Sequence, residues 1–164
     1  MRLNYDKIFN NYLKEYDITL KILDKKICIA APYMGRLILF GPNKPSSIKD
    51  LRGFLHEVGH NVIAPPFKVP LNLDIFKEEI GAENFCYKEL DKLKILTKKN
   101  LISIYSHVGC MSYVFKRNLD DYEVFKNIIL TPNINSFFIY NNNIKIVEIK
   151  ASLLKQYQDF YTNL

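Results

Sequence analysis

The segment Leu55-His56-Glu57-Val58-Gly59-His60 is the stretch of sequence that most constrains the fold of this 164-residue chain. Its two histidines are four residues apart, so on a helix they lie one above the other on the same face. Both imidazoles can then present a nitrogen to one tetrahedral ion. Glu57 lies about 100° round the helix from His56, where it can act as a general base without ligating the ion. The pattern predicts a helix that carries a zinc site.

Apolar residues at helical spacing around this motif indicate that the helix is substantially buried. They are Leu51, Phe54, Leu55, Val58 and Val62. An unpaired carboxylate at Glu57 would be costly in such surroundings, which favours a metal site over a solvent-facing His/Glu pair. Ser46 or Ser47 can cap the helix, with Asp50 completing a capping box. Pro65-Pro66 is expected to end it, because proline lacks the N–H group and clashes with the preceding turn.

A catalytic zinc needs a third protein ligand and an open position. No histidine follows His60 at a short spacing, so the third ligand is expected to be a carboxylate from a second helix. The segment after the motif offers Glu78, Glu79 and Glu83 as candidates. A solvated acidic first helical turn, favoured by the helix dipole, would give the same pattern, and the preceding HExxH motif is what favours a ligand.

The second segment resembles a motif of the ImmA/IrrE family of zinc metallopeptidases and their gluzincin relatives. Their pattern, Glu-x-x-Ala-(Asn/Asp)-x-Phe-Ala on the helix after HExxH, is matched by Glu79-Ile80-Gly81-Ala82-Glu83-Asn84-Phe85-Cys86. The chain departs from the pattern at Glu83 and Cys86. The resemblance implies that Glu79 is the third ligand and that Glu83 hydrogen-bonds a ligand histidine. It also implies that Ala82 lets the two helices approach closely.

The same resemblance implies a zincin-like metallopeptidase fold of the α+β class. In it, a small antiparallel or mixed sheet packs on the HExxH helix and the glutamate helix, followed by C-terminal helices and a hairpin. The implied activity is that of a zinc-dependent endopeptidase with a narrow protein substrate, typically a helix-turn-helix transcriptional repressor. An alternative is a non-catalytic zincin-fold module that binds protein or DNA, which the intact Glu57 argues against. A peptidase acting on general peptides is a third possibility.

The chain is interpreted as a metallopeptidase domain over residues 1–130 followed by a C-terminal hairpin and helix over 131–164, which are either part of the same compact domain or an addition to it. Before the motif, the pattern predicts a helix over 5–16 and three strands. The third strand, Leu37–Phe40, is expected to be the sheet edge that accepts an extended substrate. After the motif, a helix is predicted to open at Pro70 to Asn72 and to run to about Leu93, and several short helices are predicted over 97–130. The predicted strands are Ile18–Leu23, Ile27–Ala31, Leu37–Phe40, Phe137–Tyr140 and Ile144–Ile149, the last two joined through 141–143, before a final helix over Ala151–Tyr161.

The segment from Ile104 to Leu119 resembles the degenerate helix-turn-helix often found after the glutamate helix in this family. Gly109 would be its turn. Packing helices are nevertheless favoured over DNA readers for this stretch. His107, in the same segment, is a candidate for stabilising an oxyanion or contacting the substrate, although a lone histidine near a helical turn is more often structural.

The composition favours a globular protein without a nucleic-acid or membrane partner. The net charge of +6 arises from scattered Lys and Arg, which is typical of a solvated basic surface. No apolar run is long enough to span a bilayer. The three cysteines are far apart, odd in number and outside metal-ligand spacing. Reduced thiols in a cytoplasmic protein are therefore expected.

Overall fold

The computed structural model describes residues 3–24, 27–31, 35–41, 45–63, 74–117, 119, 121–122, 124–125, 128–130, 136–139, 147–148 and 151–162. The chain is of the α+β class and divides into two compact units, Met1–Leu96 and Thr97–Leu164. This division differs from the boundary expected at residue 130, because the helix that begins at Lys98 packs against C-terminal elements. None of the described helices is both long and apolar enough to cross a membrane.

The first unit combines three helices with a three-stranded mixed sheet in its described part. Its elements are α1 (Tyr5–Glu15), β1 (Thr19–Ile22), β2 (Ile27–Ala31), β3 (Leu37–Gly41), α2 (Ile48–Ile63) and α3 (Ile75–Lys92). The strand order is β1-β3-β2, with β3 parallel to β1 and antiparallel to β2. The three predicted strands are confirmed, but the expectation that Leu37–Phe40 forms the sheet edge was wrong. That segment lies in the central strand because it pairs on both sides, and the outer strands are β1 and β2.

Each helix of the first unit is preceded by a residue whose side chain accepts a hydrogen bond from a backbone amide in the first turn. Asn4 Oδ1 accepts from the amide of Lys7 at 2.9 Å. Ser47 Oγ accepts from the amide of Asp50 at 3.1 Å, as expected for a capping serine. α3 begins after Asp74. The segment Pro70 to Asn72, where this helix was expected to open, and Pro65-Pro66 lie outside the described residues.

The core of the first unit is built from phenylalanine rings and aliphatic side chains. Phe9 of α1, Phe40 of β3 and Phe54 of α2 form one cluster, with ring centroids 4.4 Å apart for Phe9 and Phe54 and 5.5 Å apart for Phe9 and Phe40. Leu51, Phe54, Leu55 and Val58 are completely buried, which confirms most of the predicted apolar stripe. Val62 was wrongly included in that stripe. It is 38% exposed, and the neighbouring Ile63 is 44% exposed, although His60 and Asn61 in the same turn are buried.

The second unit carries a separate antiparallel sheet. Its elements are α4 (Lys98–Phe115), β4 (Ile128–Leu130), β5 (Ser136–Ile139), β6 (Val147–Glu148) and α5 (Ala151–Thr162). The strand order is β4-β5-β6. The antiparallel pairing of β5 with β6 and the position of α5 agree with the predicted hairpin strands and final helix. Residues 141–143, the predicted turn, lie outside the described residues.

The long helix α4 corrects two predictions. Several short helices were expected over 97–130, but the structure has one helix of 18 residues, and β4 follows later in the same range. Gly109 lies buried inside α4, so it forms no turn, and the helix-turn-helix interpretation of this stretch was wrong. A glycine inside a helix costs only about 1 kcal/mol relative to alanine. Burial of the apolar face of α4 offsets that cost, and its buried members include Ile104, Val108 and Met111.

Candidate metal centre

The two histidines of the HExxH motif lie on one face of α2 and turn toward each other. Both are largely buried, at 8% exposure for His56 and 9% for His60. Their Nε2 atoms are 3.1 Å apart, and the ring planes meet at 83°. Helical spacing of four residues produces this arrangement, because side chains at i and i+4 overlap along the helix. Two imidazole nitrogens are thus directed at a common point.

Glu79, on the neighbouring helix α3, completes a group of three possible ligands. Its Oε2 lies 3.4 Å from His56 Nε2 and 3.6 Å from His60 Nε2. Within the part of the chain that the structure describes, His56, His60 and Glu79 are the side chains that form a cluster able to hold a metal ion. The structure therefore brings together the three residues for which the sequence predicted this role.

The spacing of these three atoms fits a tetrahedral zinc ion. Ligand atoms about 2.0–2.1 Å from a tetrahedral zinc are about 3.3–3.4 Å from one another. The observed edges of 3.1, 3.4 and 3.6 Å bracket that value. Two imidazoles and one carboxylate are also a donor set that zinc uses in catalytic sites, where a fourth position stays open. The donor chemistry and the geometry of the group agree.

Each histidine has a second carboxylate close to its other nitrogen. Glu83 Oε1 lies 3.2 Å from His56 Nδ1, and Glu78 Oε1 lies 3.2 Å from His60 Nδ1. Such contacts fix the tautomer and the ring orientation of a ligand histidine. The sequence predicted this position for Glu83 but considered Glu78 only as an alternative ligand. The signal for Glu78 was present, since it is one residue before Glu79 on the same helix.

A close approach of the two helices allows these carboxylates to reach the imidazoles. A Cβ atom added at Gly59 would lie 2.8 Å from Cα and 2.9 Å from the carbonyl oxygen of Ala82. A side chain at Gly59 would therefore meet the backbone of Ala82. The close approach of the two helices at Ala82, which the family resemblance implied, agrees with this contact.

Glu57 lies next to the group formed by His56, His60 and Glu79, on the side that faces the edge strand β2. Its Oε2 accepts a hydrogen bond of 2.7 Å from the backbone amide of Ala30 in the edge strand β2. Burial raises the pKa of this carboxyl above its ordinary value, although the two histidines and the Ala30 amide act in the opposite direction. A carboxylate with a raised pKa is a better proton acceptor near neutral pH. Glu57 is thus fixed next to the histidines without being part of the ligand group.

The carboxylates also set the protonation of the histidines in the metal-free protein. Burial by itself lowers the pKa of both imidazoles. At His56 the charge of Glu83 and hydrogen bonds with Glu79 and Glu83 outweigh burial and raise the pKa to about 10. At His60 hydrogen bonds with Glu78 and Glu79 raise the pKa to about 9. Both shifts favour proton uptake by the metal-free pair of histidines, and a bound cation would displace such protons.

Arg52 is a participant that the sequence reasoning missed. It lies one helical turn before His56 on α2, and its Nη2 pairs with Glu83 Oε1. Glu83 is completely buried, so its charge requires a nearby cation. An arginine four residues before the first histidine of the motif was the signal that could have identified it.

His107 belongs to the second unit, where its Nδ1 lies 2.9 Å from the Tyr157 hydroxyl. The two rings meet edge to face, with centroids 5.2 Å apart. This contact joins α4 to α5. A role for His107 in oxyanion stabilisation or substrate contact stays a prediction.

The chain was also compared with known proteins. Neither protein-family models, nor curated proteins, nor solved structures gave a match to it.

Proposed function

We propose that this chain is a zinc-dependent metallopeptidase of the gluzincin type with a zincin-like fold. The observation that carries the proposal is the triangle formed by His56 Nε2, His60 Nε2 and Glu79 Oε2, whose edges match the ligand spacing of tetrahedral zinc. The resemblance of both helical motifs to the ImmA/IrrE family supports it. The mixed sheet next to α2 supports the fold assignment.

The side chains of the site have different roles in the proposed peptide hydrolysis. His56, His60 and Glu79 would hold the zinc, which when bound makes water more acidic and polarises a carbonyl group. Glu57 takes the proton from the attacking water and passes it to the leaving amine, as a general base and then a general acid. The raised pKa of Glu57 suits the first step, because it makes the carboxylate a stronger proton acceptor. Glu78 and Glu83 keep the imidazole rings oriented.

The substrate would bind along β2 rather than along Leu37–Phe40. β2 is an edge strand of its sheet and packs against α2, the helix that carries Glu57. An extended peptide can add to such an edge through main-chain hydrogen bonds. The Ala30 amide, which already contacts Glu57, marks the part of the edge nearest to the general base. The scissile bond is therefore expected opposite this part of β2.

The substrate class is proposed from the family resemblance alone. A cytoplasmic helix-turn-helix transcriptional repressor is the typical substrate of the proteins that the two motifs resemble. The segment that was a candidate helix-turn-helix adds no support for a nucleic-acid substrate, because α4 is continuous through Gly109. A protein substrate is accordingly favoured over nucleic acid as the partner.

Replacing Glu57 by glutamine tests the proposed function, because it keeps the side chain's volume while removing its basicity. The Glu57→Gln protein is expected to fold and to bind zinc like the wild type. Its cleavage rate should fall by about 10²–10⁴-fold, the contribution of a general base. A peptide library read by mass spectrometry, and the helix-turn-helix repressor encoded nearest to the gene, are suitable substrates.

Two outcomes would contradict the proposal in different ways. Unchanged cleavage by Glu57→Gln would mean that the chemistry lies elsewhere. A wild-type protein that binds zinc and releases the repressor from DNA without cleaving it would instead indicate the non-catalytic interaction module.

A further inference from the structure

Glu83 shares one oxygen atom between two groups of α2. Its Oε1 lies 3.2 Å from His56 Nδ1 and also pairs with Arg52 Nη2. The Glu83 side chain is completely buried, whereas the Arg52 side chain is 19% exposed. The arrangement forms a chain of contacts from the edge of the helix pair, through Glu83, to a residue of the metal centre.

Helix geometry explains why Arg52 and His56 meet the same carboxylate. Residues four apart on a helix are neighbours on its surface, so both side chains project toward α3. Glu83 lies on α3 between them, where Cys86 Sγ also contacts the Arg52 carbonyl oxygen at 3.4 Å. The same carboxylate oxygen is therefore contacted by a guanidinium and by an imidazole of α2.

Arg52 is a cation in contact with the completely buried carboxylate of Glu83. Removing one partner of a buried ion pair is strongly unfavourable, because the charge that remains has lost a compensating group. The carboxylate would then move toward water or draw His56 out of its orientation. Either movement would spoil the direction of His56 Nε2, which depends on the contact at Nδ1.

We propose that Arg52 is a positioning residue of the metal centre, which fixes Glu83 and through it the orientation of His56. This inference rests on the proposed zinc site. It also gives a physical reason why the negative charge of Glu83 can be buried, because Arg52, one turn before the motif, neutralises it.

The test is a double-mutant cycle that measures zinc affinity by competition with a chelator. Arg52→Met removes the charge and the donors but keeps an apolar stem, and it should weaken zinc binding by about 10–100-fold, the range for groups that orient a ligand. In a Glu83→Gln background the same change should alter affinity by less than about 3-fold, because no buried charge remains to be fixed. Visible spectra of the cobalt(II) forms should change in Arg52→Met as the ligand geometry relaxes.

Lys92 provides the matched control. Its Nζ lies 3.2 Å from Glu89 Oε2, so it is also a cation paired with a buried carboxylate of α3. Glu89 accepts from the Tyr12 hydroxyl rather than from a histidine. Lys92→Met should therefore leave zinc affinity and the cobalt spectrum unchanged.

The outcomes separate this inference from the proposed function. If the wild type binds no zinc, both fail. If the wild type binds zinc and Arg52→Met binds it equally well, or if the two substitutions have additive effects, Arg52 only joins the helices and the inference is overturned. Should Arg52→Met not fold, Arg52→Gln removes the charge but keeps an amide donor. A folded Arg52→Gln with weakened zinc binding supports the inference, and wild-type affinity in that variant contradicts it.

Discussion

At the scale of single residues, the candidate site is an arrangement of three glutamates around two histidines. Glu79 approaches the Nε2 atoms of both rings, whereas Glu78 and Glu83 each approach one Nδ1. The role of each glutamate depends on the histidine nitrogen that it contacts. A metal ion can bind both histidines only on the side where their Nε2 atoms converge. Removal of each of these three carboxylates of α3 is therefore expected to change zinc affinity by a different amount.

Replacing each glutamate by glutamine tests this division of roles. Glu79→Gln should weaken zinc binding most, since an amide is a poor substitute for a charged ligand. Glu78→Gln and Glu83→Gln should each cost no more than about 10–100-fold in affinity, as expected for groups that orient a ligand. Chelator competition on the three purified variants gives the ranking. A greater loss in Glu83→Gln or Glu78→Gln than in Glu79→Gln would show that the ligand has been assigned to the wrong residue.

The protons held by the histidines lead to a prediction about pH. The pKa values of His56 and His60 are raised in the folded metal-free protein above the ordinary 6.5. A group whose pKa is raised by folding adds stability below its unfolded pKa and loses it as the pH rises through the folded value. The unfolding free energy of the metal-free protein should therefore fall between about pH 6.5 and pH 10 through these two groups.

Zinc binding at pH 7 should release protons from the same imidazoles. Calorimetry in buffers of different ionisation enthalpy measures that release directly. A binding enthalpy that does not depend on the buffer, together with flat stability of the metal-free protein from pH 6.5 to pH 10, would contradict the protonation assigned to the site.

At the scale of secondary-structure elements, the site depends on the contact between α2 and α3. The ligands come from both helices, so their separation sets the distance between Glu79 and the histidines. Gly59 faces the backbone of Ala82, which cannot move as an exposed side chain could. The packing of the helices and the geometry of the site are thus one property.

Gly59→Ala should force the helices apart. The added Cβ would lie 2.8 Å from Ala82 Cα. Overpacking of this kind costs about 1–3 kcal/mol, of which helix propensity returns up to about 1 kcal/mol. We expect a lower unfolding free energy in urea and weaker zinc binding.

Gly53→Ala is the control on the same helix, because nothing lies within 4 Å of a Cβ added there. This change should stabilise the protein by up to about 1 kcal/mol. Equal stabilisation by Gly59→Ala and Gly53→Ala would mean that the two helices are not in close contact.

The elements with strong local signals were those that the sequence predicted well. α2 has apolar periodicity and a capping serine, and both act within a few residues along the chain. α4 was broken into pieces because Gly109 is a turn signal locally, whereas its burial inside the helix depends on distant partners. The edge of the first sheet was misassigned for a similar reason. Strand order depends on pairings between segments, and no local pattern in Leu37–Phe40 specifies two neighbours.

At the scale of the whole molecule, the net charge of the chain is positive, whereas the residues around the two site histidines are acidic. The chain carries a net charge of +6, yet Glu57, Glu78, Glu79 and Glu83 surround two histidines in the first unit. A divalent cation would reduce the mutual repulsion of these carboxylates, which bulk composition could not reveal. The division into two units after Leu96 could not be predicted from composition either, because it reflects which elements pack together. The ligand residues themselves could be predicted because HExxH spacing fixes their geometry on one helix.

Zinc content of the purified protein tests the central claim most directly. Elemental analysis after reconstitution should give about one zinc ion per wild-type chain, and His56→Ala and His60→Ala should each lose it, because two remaining protein ligands bind zinc poorly. The control is His107→Ala, the third histidine of the chain, whose partner is Tyr157 and whose removal should leave the zinc in place. A wild-type protein without zinc after reconstitution, or a His56→Ala protein that retains it, would contradict the account.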